Sequence, residues 1–176
     1  MALTFNGSTN TITGVAVGGL PDGIVDTDMI AAGAVTAAKR GAGAILQVKQ
    51  DVYTTHDTYT NTSFAALSGF TVDITPSATS SKILVTLNLL LEARSTSIVA
   101  IQLTRGGAEM FTNEGGYRGE SAFGGYVSMT YLDSPNTTSQ VTYGVETRTS
   151  VSSYAINNYI GSGPSTSFLT VMEVAG

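Results

Sequence analysis

Between residues 82 and 91 the chain alternates with a period of two. Ile83, Val85, Leu87, Leu89 and Leu91 fall on one face, and Leu84, Thr86, Asn88 and Leu90 on the other. That is the pattern of a β-strand with one face in a core. The second face is half apolar, which predicts that it also meets protein, with Leu84 and Leu90 as candidates for a subunit interface. The same period recurs where Val99, Ile101 and Leu103 alternate with Ala100, Gln102 and Thr104. It recurs again where Val141, Tyr143 and Val145 alternate with Thr142, Gly144 and Glu146, and in Phe168, Thr170, Met172 and Val174 near the C-terminus. Turn-formers separate these runs: Thr75-Pro76-Ser77, Arg105-Gly106-Gly107, Asp133-Ser134-Pro135-Asn136 and Gly161-Ser162-Gly163-Pro164. About nine or ten short strands with no helical period between them predict an all-β, jelly-roll-like β-sandwich knob over residues 45–176.

The first 44 residues read differently. Of the 14 aromatic residues, 13 lie after residue 50, Phe5 being the exception. The segment is rich in Gly, Ala and Thr, and too short and too poor in bulky side chains to build its own core. It predicts a thin stalk that orders against something else, copies of the same chain being the simplest partner. Gly23, Gly33 and Gly43 recur every ten residues, with Val25 and Val35 in the same phase. Asp26 or Thr27 can cap a helical turn that Gly33 stops, and Thr36 a second turn that Gly41 stops. The alternative is one Ala-rich helix over 27–40, in which Gly33 would cost roughly 1 kcal/mol. Leu3-Thr4-Phe5 and Thr11-Ile12-Thr13 predict two short strands joined by a turn at Asn6-Gly7. Gly41-Ala42-Gly43-Ala44 reads as a flexible junction between stalk and knob.

Composition narrows the function classes. The 176 residues carry 8 basic and 13 acidic side chains, a net charge of −5, and only 12% are charged, about half the usual ~25%. Ser and Thr number 44, which suits solvent-facing strand positions. With no cysteine, neither a disulfide framework nor a thiolate metal site is available. A mildly acidic chain lacks the basic surface that nucleic-acid binding needs. No uncharged apolar run reaches the ~18 residues of a membrane-spanning helix, so membrane insertion is not expected. The N-terminus lacks the basic and apolar regions of a signal peptide.

Several stretches carry a resemblance. Leu3-Thr4-Phe5-Asn6-Gly7-Ser8-Thr9-Asn10-Thr11-Ile12-Thr13-Gly14, Gly19-Leu20-Pro21-Asp22-Gly23-Ile24-Val25-Asp26 and Ala34-Val35-Thr36-Ala37-Ala38-Lys39 resemble the N-terminal stalks of small fibre and tail-fibre-like proteins of tailed, aquatic, cyanophage-type bacteriophages. Ile74-Thr75-Pro76-Ser77 with Ser80-Ser81-Lys82-Ile83-Leu84-Val85, Leu103-Thr104-Arg105-Gly106, Tyr131-Leu132-Asp133-Ser134-Pro135 and Leu169-Thr170-Val171-Met172-Glu173-Val174 resemble the C-terminal knob of the same proteins. The resemblance implies a homotrimer built into the virion, assembled in the host cytoplasm, with no enzymatic activity and no cofactor. A chain beginning directly on the stalk motif would be a short appendage. It would dock onto other virion proteins, of tail or capsid, through residues 1–20, with Leu3, Phe5 and Ile12 as contacts. A tail-fibre or tail-tip protein contacting the host surface is the leading expectation, a capsid decoration or head fibre the second, and a polysaccharide depolymerase a third of another class.

Candidate chemistry is sparse. The single histidine, His56, lies in a polar stretch that predicts an exposed loop; three copies on an axis could otherwise ligate a metal. Asp26-Thr27-Asp28 lacks the spacing of a calcium loop and fits helix capping. Glu109, Glu114 and Glu120 surround a glycine-rich segment; paired carboxylates can cleave glycosides when ~5–10 Å apart, yet so small a domain offers little groove, so no catalytic residue is assigned. The stretch from Asn113 to Tyr126 reads as a glycine-rich surface loop in which Tyr117, Arg118, Phe123 and Tyr126 could bind a host glycan or protein. Its plainer alternative is a loop packed at an interface with Arg118 paired to Glu114 or Glu120.

Overall fold

The computed structural model describes residues 4–6, 8, 11–13, 35, 39–93, 97–118, 123–150, 153–157 and 165–176. The chain divides into two compact units, Met1–Lys39 and Arg40–Gly176. The division falls at Lys39/Arg40 rather than at 44/45. Residues 41–44 belong with the second unit because Gly43 N–H donates to the Ala175 carbonyl and Ala175 N–H to that of Ala44.

In the first unit, β1 (Thr4–Asn6) and β2 (Thr11–Thr13) pair antiparallel, Thr4 opposite Thr13 and Asn6 opposite Thr11. The two strands expected around Asn6-Gly7 are therefore present. Leu3, the helical turn expected up to Ala31, and residues 36–38 of the turn expected from Thr36 through Lys39 and Arg40 lie outside the described residues.

The second unit is an antiparallel β-sandwich. Its strands are β3 (Ile45–Tyr53), β4 (Asp57–Tyr59), β5 (Ala65–Ile74), β6 (Lys82–Ala93), β7 (Ile98–Arg105), β8 (Ala108–Arg118), β9 (Phe123–Asp133), β10 (Val141–Thr149), β11 (Tyr154–Ile156) and β12 (Ser167–Val174). One sheet has the order β5-β10-β7-β8. In the other, β6 is central, with β12 then β3 on one flank, β11 then β4 continuing that flank, and β9 on the opposite side. Each expected alternating run is a strand: β6, β7, β10 and β12.

Core and surface follow the period. Ile83, Val85, Leu87, Leu89 and Leu91 are fully buried and meet Leu67, Phe70, Val72 and Ile74 of β5, Ile101 and Leu103 of β7, and Tyr143 and Val145 of β10. Tyr53 stacks on Phe70 at 4.8 Å between ring centroids, joining the two sheets. Burial of so many side chains, each contributing ~1.5–3 kcal/mol, makes this interior the source of stability. Gly106 and Gly107 turn β7 into β8 with φ of 59° and 79°, a left-handed conformation in which a side chain is strained.

The stretch 113–126 is not the loop its glycines suggested. β8 runs through Arg118 and β9 starts at Phe123, so every described residue of the stretch is in a strand; 119–122 are not among them. Pairing decides it: Ile98 and Val99 lie opposite Arg118 and Tyr117, and Glu92 and Leu91 opposite Gly124 and Gly125. Long-range ladders hold glycines extended, overriding local preference.

Candidate functional surfaces

The sandwich has two outer faces of opposite chemistry. On the sheet of β3, β12, β6 and β9, strand register aligns three transverse rows. They are Val48–Met172–Leu84–Leu132, Gln50–Thr170–Thr86–Thr130 and Val52–Phe168–Asn88–Ser128. None of these twelve positions is charged. Lys82 and Glu92 mark the two ends of the face on β6. Val48 is 54% exposed, Leu132 48% and Val52 47%, while Leu84, Met172 and Phe168 are half-buried. The first row is thus an apolar stripe crossing four strands. Isolated surface leucines need no explanation, but a contiguous apolar patch does.

The outer face of the β5-β10-β7-β8 sheet is charged on β5, β8 and β10, whereas Ala100, Gln102 and Thr104 of β7 are buried on it. It carries Asp73, Glu109, Glu114, Glu146 and Arg148. Glu109 accepts a hydrogen bond from the Thr112 hydroxyl at 2.6 Å, and Asp73 one from Thr142. Between Val99–Tyr117 and Ile101–Asn113 the β7–β8 ladder slips, leaving Glu114, Gly115 and Gly116 opposite Ala100. This bulge carries Glu114 across the small Ala100 to an ion pair with Arg148, whose guanidinium lies 5.1 Å from the centre of the Phe64 ring. Beneath it is a cavity of about 240 Å³ lined by Ile98, Ala100, Glu114, Arg148 and Ser150.

The expected site residues are distributed as follows. Tyr126 is 57% exposed and sits on the apolar face, not on a loop. It pairs with Leu90 across the ladder, and its hydroxyl donates to the Thr166 carbonyl at 3.0 Å. The ring therefore crosses β6 at Leu90, which is only 5% exposed. Of the two interface candidates, Leu84 stands in the open row and Leu90 is covered from within the chain. Tyr117, Arg118 and Phe123 lie on described strands opposite Val99, Ile98 and Ala93, their side chains outside the described set. The same holds for Phe5 and Ile12 on β1 and β2. Glu114 pairs with Arg148; Glu120 is outside the described residues. His56 is exposed between β3 and β4. Among the described residues no group of three His, Cys, Asp or Glu is placed to hold a metal ion. Sequence reasoning missed the row itself, although Val48, Met172 and Leu132 were visible as apolar residues; only strand register lines them up.

The motifs behind the family resemblance converge on two polar clasps. Glu173, fully buried, accepts from the Ser77 backbone and hydroxyl, the Ser81 hydroxyl and Gln47 Nε2. Burial alone would raise its pKa, but these donors outweigh it and hold the carboxyl below its ordinary value. Arg105 Nη1 donates to both oxygens of Asp133, at 3.0 and 2.7 Å, and the Tyr143 hydroxyl donates to Asp133 at 2.7 Å. The second clasp joins the ends of β7 and β10 in one sheet to β9 in the other.

These features define an antiparallel β-sandwich with one outer face that carries an exposed apolar row. No protein-family model matches the chain, and no curated protein does. Among solved structures, the infectious bursal disease virus VP2 subviral particle is similar at 11% identity and a TM-score of 0.42, covering 73% of this chain and 39% of that one. The Gx strain of the same virus gives 15% and 0.38, covering 75% and 41%. Dimeric latent PorU from Porphyromonas gingivalis gives 10% and 0.36, covering 77% and 13%. The chain thus spans about two-fifths of the viral chains and about one-eighth of PorU. Similarity this distant carries no argument about function, and the sandwich rests on its own strand pairing.

Proposed function

We propose that this chain is a structural component of a tailed-phage virion, a short tail-fibre or tail-tip protein that contacts the host surface. In this reading it assembles as a homotrimer and is held in the particle by residues 1–20. The observation that carries the proposal is the uncharged outer face with its exposed apolar row, on a sandwich whose turn motifs resemble those of fibre knobs. Such a face calls for protein cover, as assembly into a virion would provide.

The polarity of the sandwich supports the assignment. Ile45, where the chain enters β3, pairs with Val174, which pairs with Lys82 next to the Ile83–Asp133 pair. β9 starts at the Ala93–Phe123 pair, at the other end of β6, and β8 ends at the Ile98–Arg118 pair. The entry to β3 and the start of β9 therefore lie at opposite ends of the second unit. Tyr117, Arg118 and Phe123 stand where β8 ends and β9 begins, and they are the proposed contacts to a host glycan or protein.

Quantifying this protein against the major capsid protein in purified particles tests the reading. A few trimers per particle support a tail fibre or tip. A ratio near one per few capsid subunits makes it a capsid decoration instead. Absence from particles overturns both.

A further inference from the structure

Among the described residues of the second unit, six large apolar side chains are exposed: Ile45, Val48, Val52, Tyr126, Leu132 and Phe111. The first five lie on the β3-β12-β6-β9 face. Phe111 does not. It is 40% exposed on β8, the end strand of the other sheet, and stacks on Tyr131 of β9 at 5.9 Å. β8 and β9 are the end strands of the two sheets on the same side of the sandwich, so Phe111 and Tyr131 form an aromatic edge where the two layers meet.

We propose that these surfaces are complementary: the Phe111–Tyr131 edge of one copy packs onto the Val48–Met172–Leu84–Leu132 row of the next. This deepens the homotrimer of the preceding section and rests on its view that the chain self-assembles.

Three observations select a second copy as the occupant. The first is area. Four strands ~4.8 Å apart, rising ~3.3 Å per residue, present roughly 600 Å² in projection before side-chain relief is added. A stable interface takes ~800 Å² from each partner, so the face matches one protein partner. The second is charge. The twelve aligned positions carry none, so the face selects neither a basic nor an acidic partner, and the chain's own other face, with Asp73, Glu109, Glu114, Glu146 and Arg148, would lose hydration against it without compensation. The third is that one contact accounts for both exposed features. Face and edge are different patches of one molecule, so the contact is head-to-tail, and with a suitable rotation it closes into a ring. Two faces packed on each other would instead leave Phe111 in water.

The chain has no cysteine, so introduced thiols report cleanly. In the full-length protein, Leu84→Cys and Phe111→Cys are made singly and together and treated with a short bismaleimide. The expected result is a ladder of covalent oligomers from the double variant, and monomer from each single variant. Crosslinking of Leu84→Cys alone would mean face on face and would overturn the proposal. So would the absence of any ladder from a double variant that binds maleimide at both sites. Leu132→Glu and Phe111→Glu, both at exposed positions, should each shift the mass by light scattering towards 18.2 kDa, with Ser139→Glu as an exposed control that leaves it unchanged. Circular dichroism confirms that each variant is folded. A wild-type monomer in solution overturns the contact while leaving the virion assignment to the copy-number measurement. Absence from particles with the ladder intact overturns the assignment and leaves the contact.

Discussion

Ser77 gives Glu173 two hydrogen bonds from one residue, its backbone N–H at 2.7 Å and its hydroxyl at 2.6 Å, both to Oε1. The Ser81 hydroxyl adds a third to the same oxygen at 2.7 Å. Gln47 Nε2 donates to Oε2 and to the Thr75 carbonyl. A fully buried carboxylate is thus solvated by the turn between β5 and β6. Charge-assisted bonds of this kind are each worth ~1.5–3 kcal/mol. The amide of Glu173→Gln cannot accept all of them, and the variant should lose about 2–4 kcal/mol. Thermal melting then falls by roughly 4–16 °C for a chain of this size.

Glu173 also sets a pH dependence. Its folded pKa lies below the ordinary value of 4.5 because the hydrogen bonds outweigh the burial that would raise it. Stability from this group is therefore complete above pH 4.5 and is lost as pH falls towards the lowered folded value. Melting temperature against pH should decline on the acid side in the wild type, and Glu173→Gln should flatten that decline. An unchanged acid limb would remove Glu173 as its cause.

Tyr143 makes the mirror-image prediction. Burial, and then its bond to Asp133, raise its pKa well above that of an ordinary phenol. Burial does the same for Tyr59 and Tyr154. Their contribution is present below pH ~10 and drains as pH rises above it. Tyr143→Phe removes one buried donor and should cost about 1–2 kcal/mol at neutral pH. It should also weaken the alkaline loss, read by denaturant melts at pH 8 and pH 11.

How much of this was legible in the sequence depended on range. The period of two in β6, β7, β10 and β12 is a local signal, and it located the core. Thr75-Pro76-Ser77, Arg105-Gly106-Gly107 and Asp133-Ser134-Pro135-Asn136 are local turn chemistry, and each falls where a strand ends. What sequence could not reveal was pairing. The glycines of 113–126 suggested a loop because their extended state depends on ladders to Ile98–Val99 and to Leu91–Glu92. The apolar row needed residues 48, 84, 132 and 172 to be neighbours, a relation carried only by register. Leu84 and Leu90 looked equivalent by period, and the Tyr126 side chain made them different. Ser77, Ser81 and Glu173 were visible within motifs, but their union in one clasp was not.

The Arg148–Glu114 pair should behave unlike the clasps. Its side chains are 34% and 62% exposed, so water competes for both. Exposed pairs contribute ~0–1 kcal/mol, and the contact of Arg148 with Phe64 adds little at such a site. Arg148→Ala should therefore lower stability by less than about 1.5 kcal/mol, well short of Glu173→Gln in the same denaturant titration. A larger loss would mean that the bulge at Glu114 depends on the pair to keep its shape.

Tyr126 separates two roles that the sequence merged. Its hydroxyl holds the Thr166 carbonyl, and its ring shelters Leu90. If it acts in host contact, Tyr126→Ala should reduce phage adsorption; if it acts only as cover for Leu90, the effect should be on stability. Removing the ring uncovers part of a leucine and deletes one hydrogen bond, a loss of about 1–3 kcal/mol. Tyr126→Phe keeps the ring and deletes only the bond, a loss of ~1 kcal/mol. The β8 variant Tyr117→Ala/Arg118→Ala is the comparison. Under the proposed function, particles carrying it should adsorb at least tenfold more slowly while the variant stays folded by circular dichroism, whereas Tyr126→Ala lowers melting and Tyr126→Phe leaves adsorption intact. Adsorption lost in Tyr126→Phe would make the hydroxyl itself a host contact. Adsorption unchanged in the Tyr117→Ala/Arg118→Ala variant would move host contact away from the end of the sandwich where β8 ends and β9 begins.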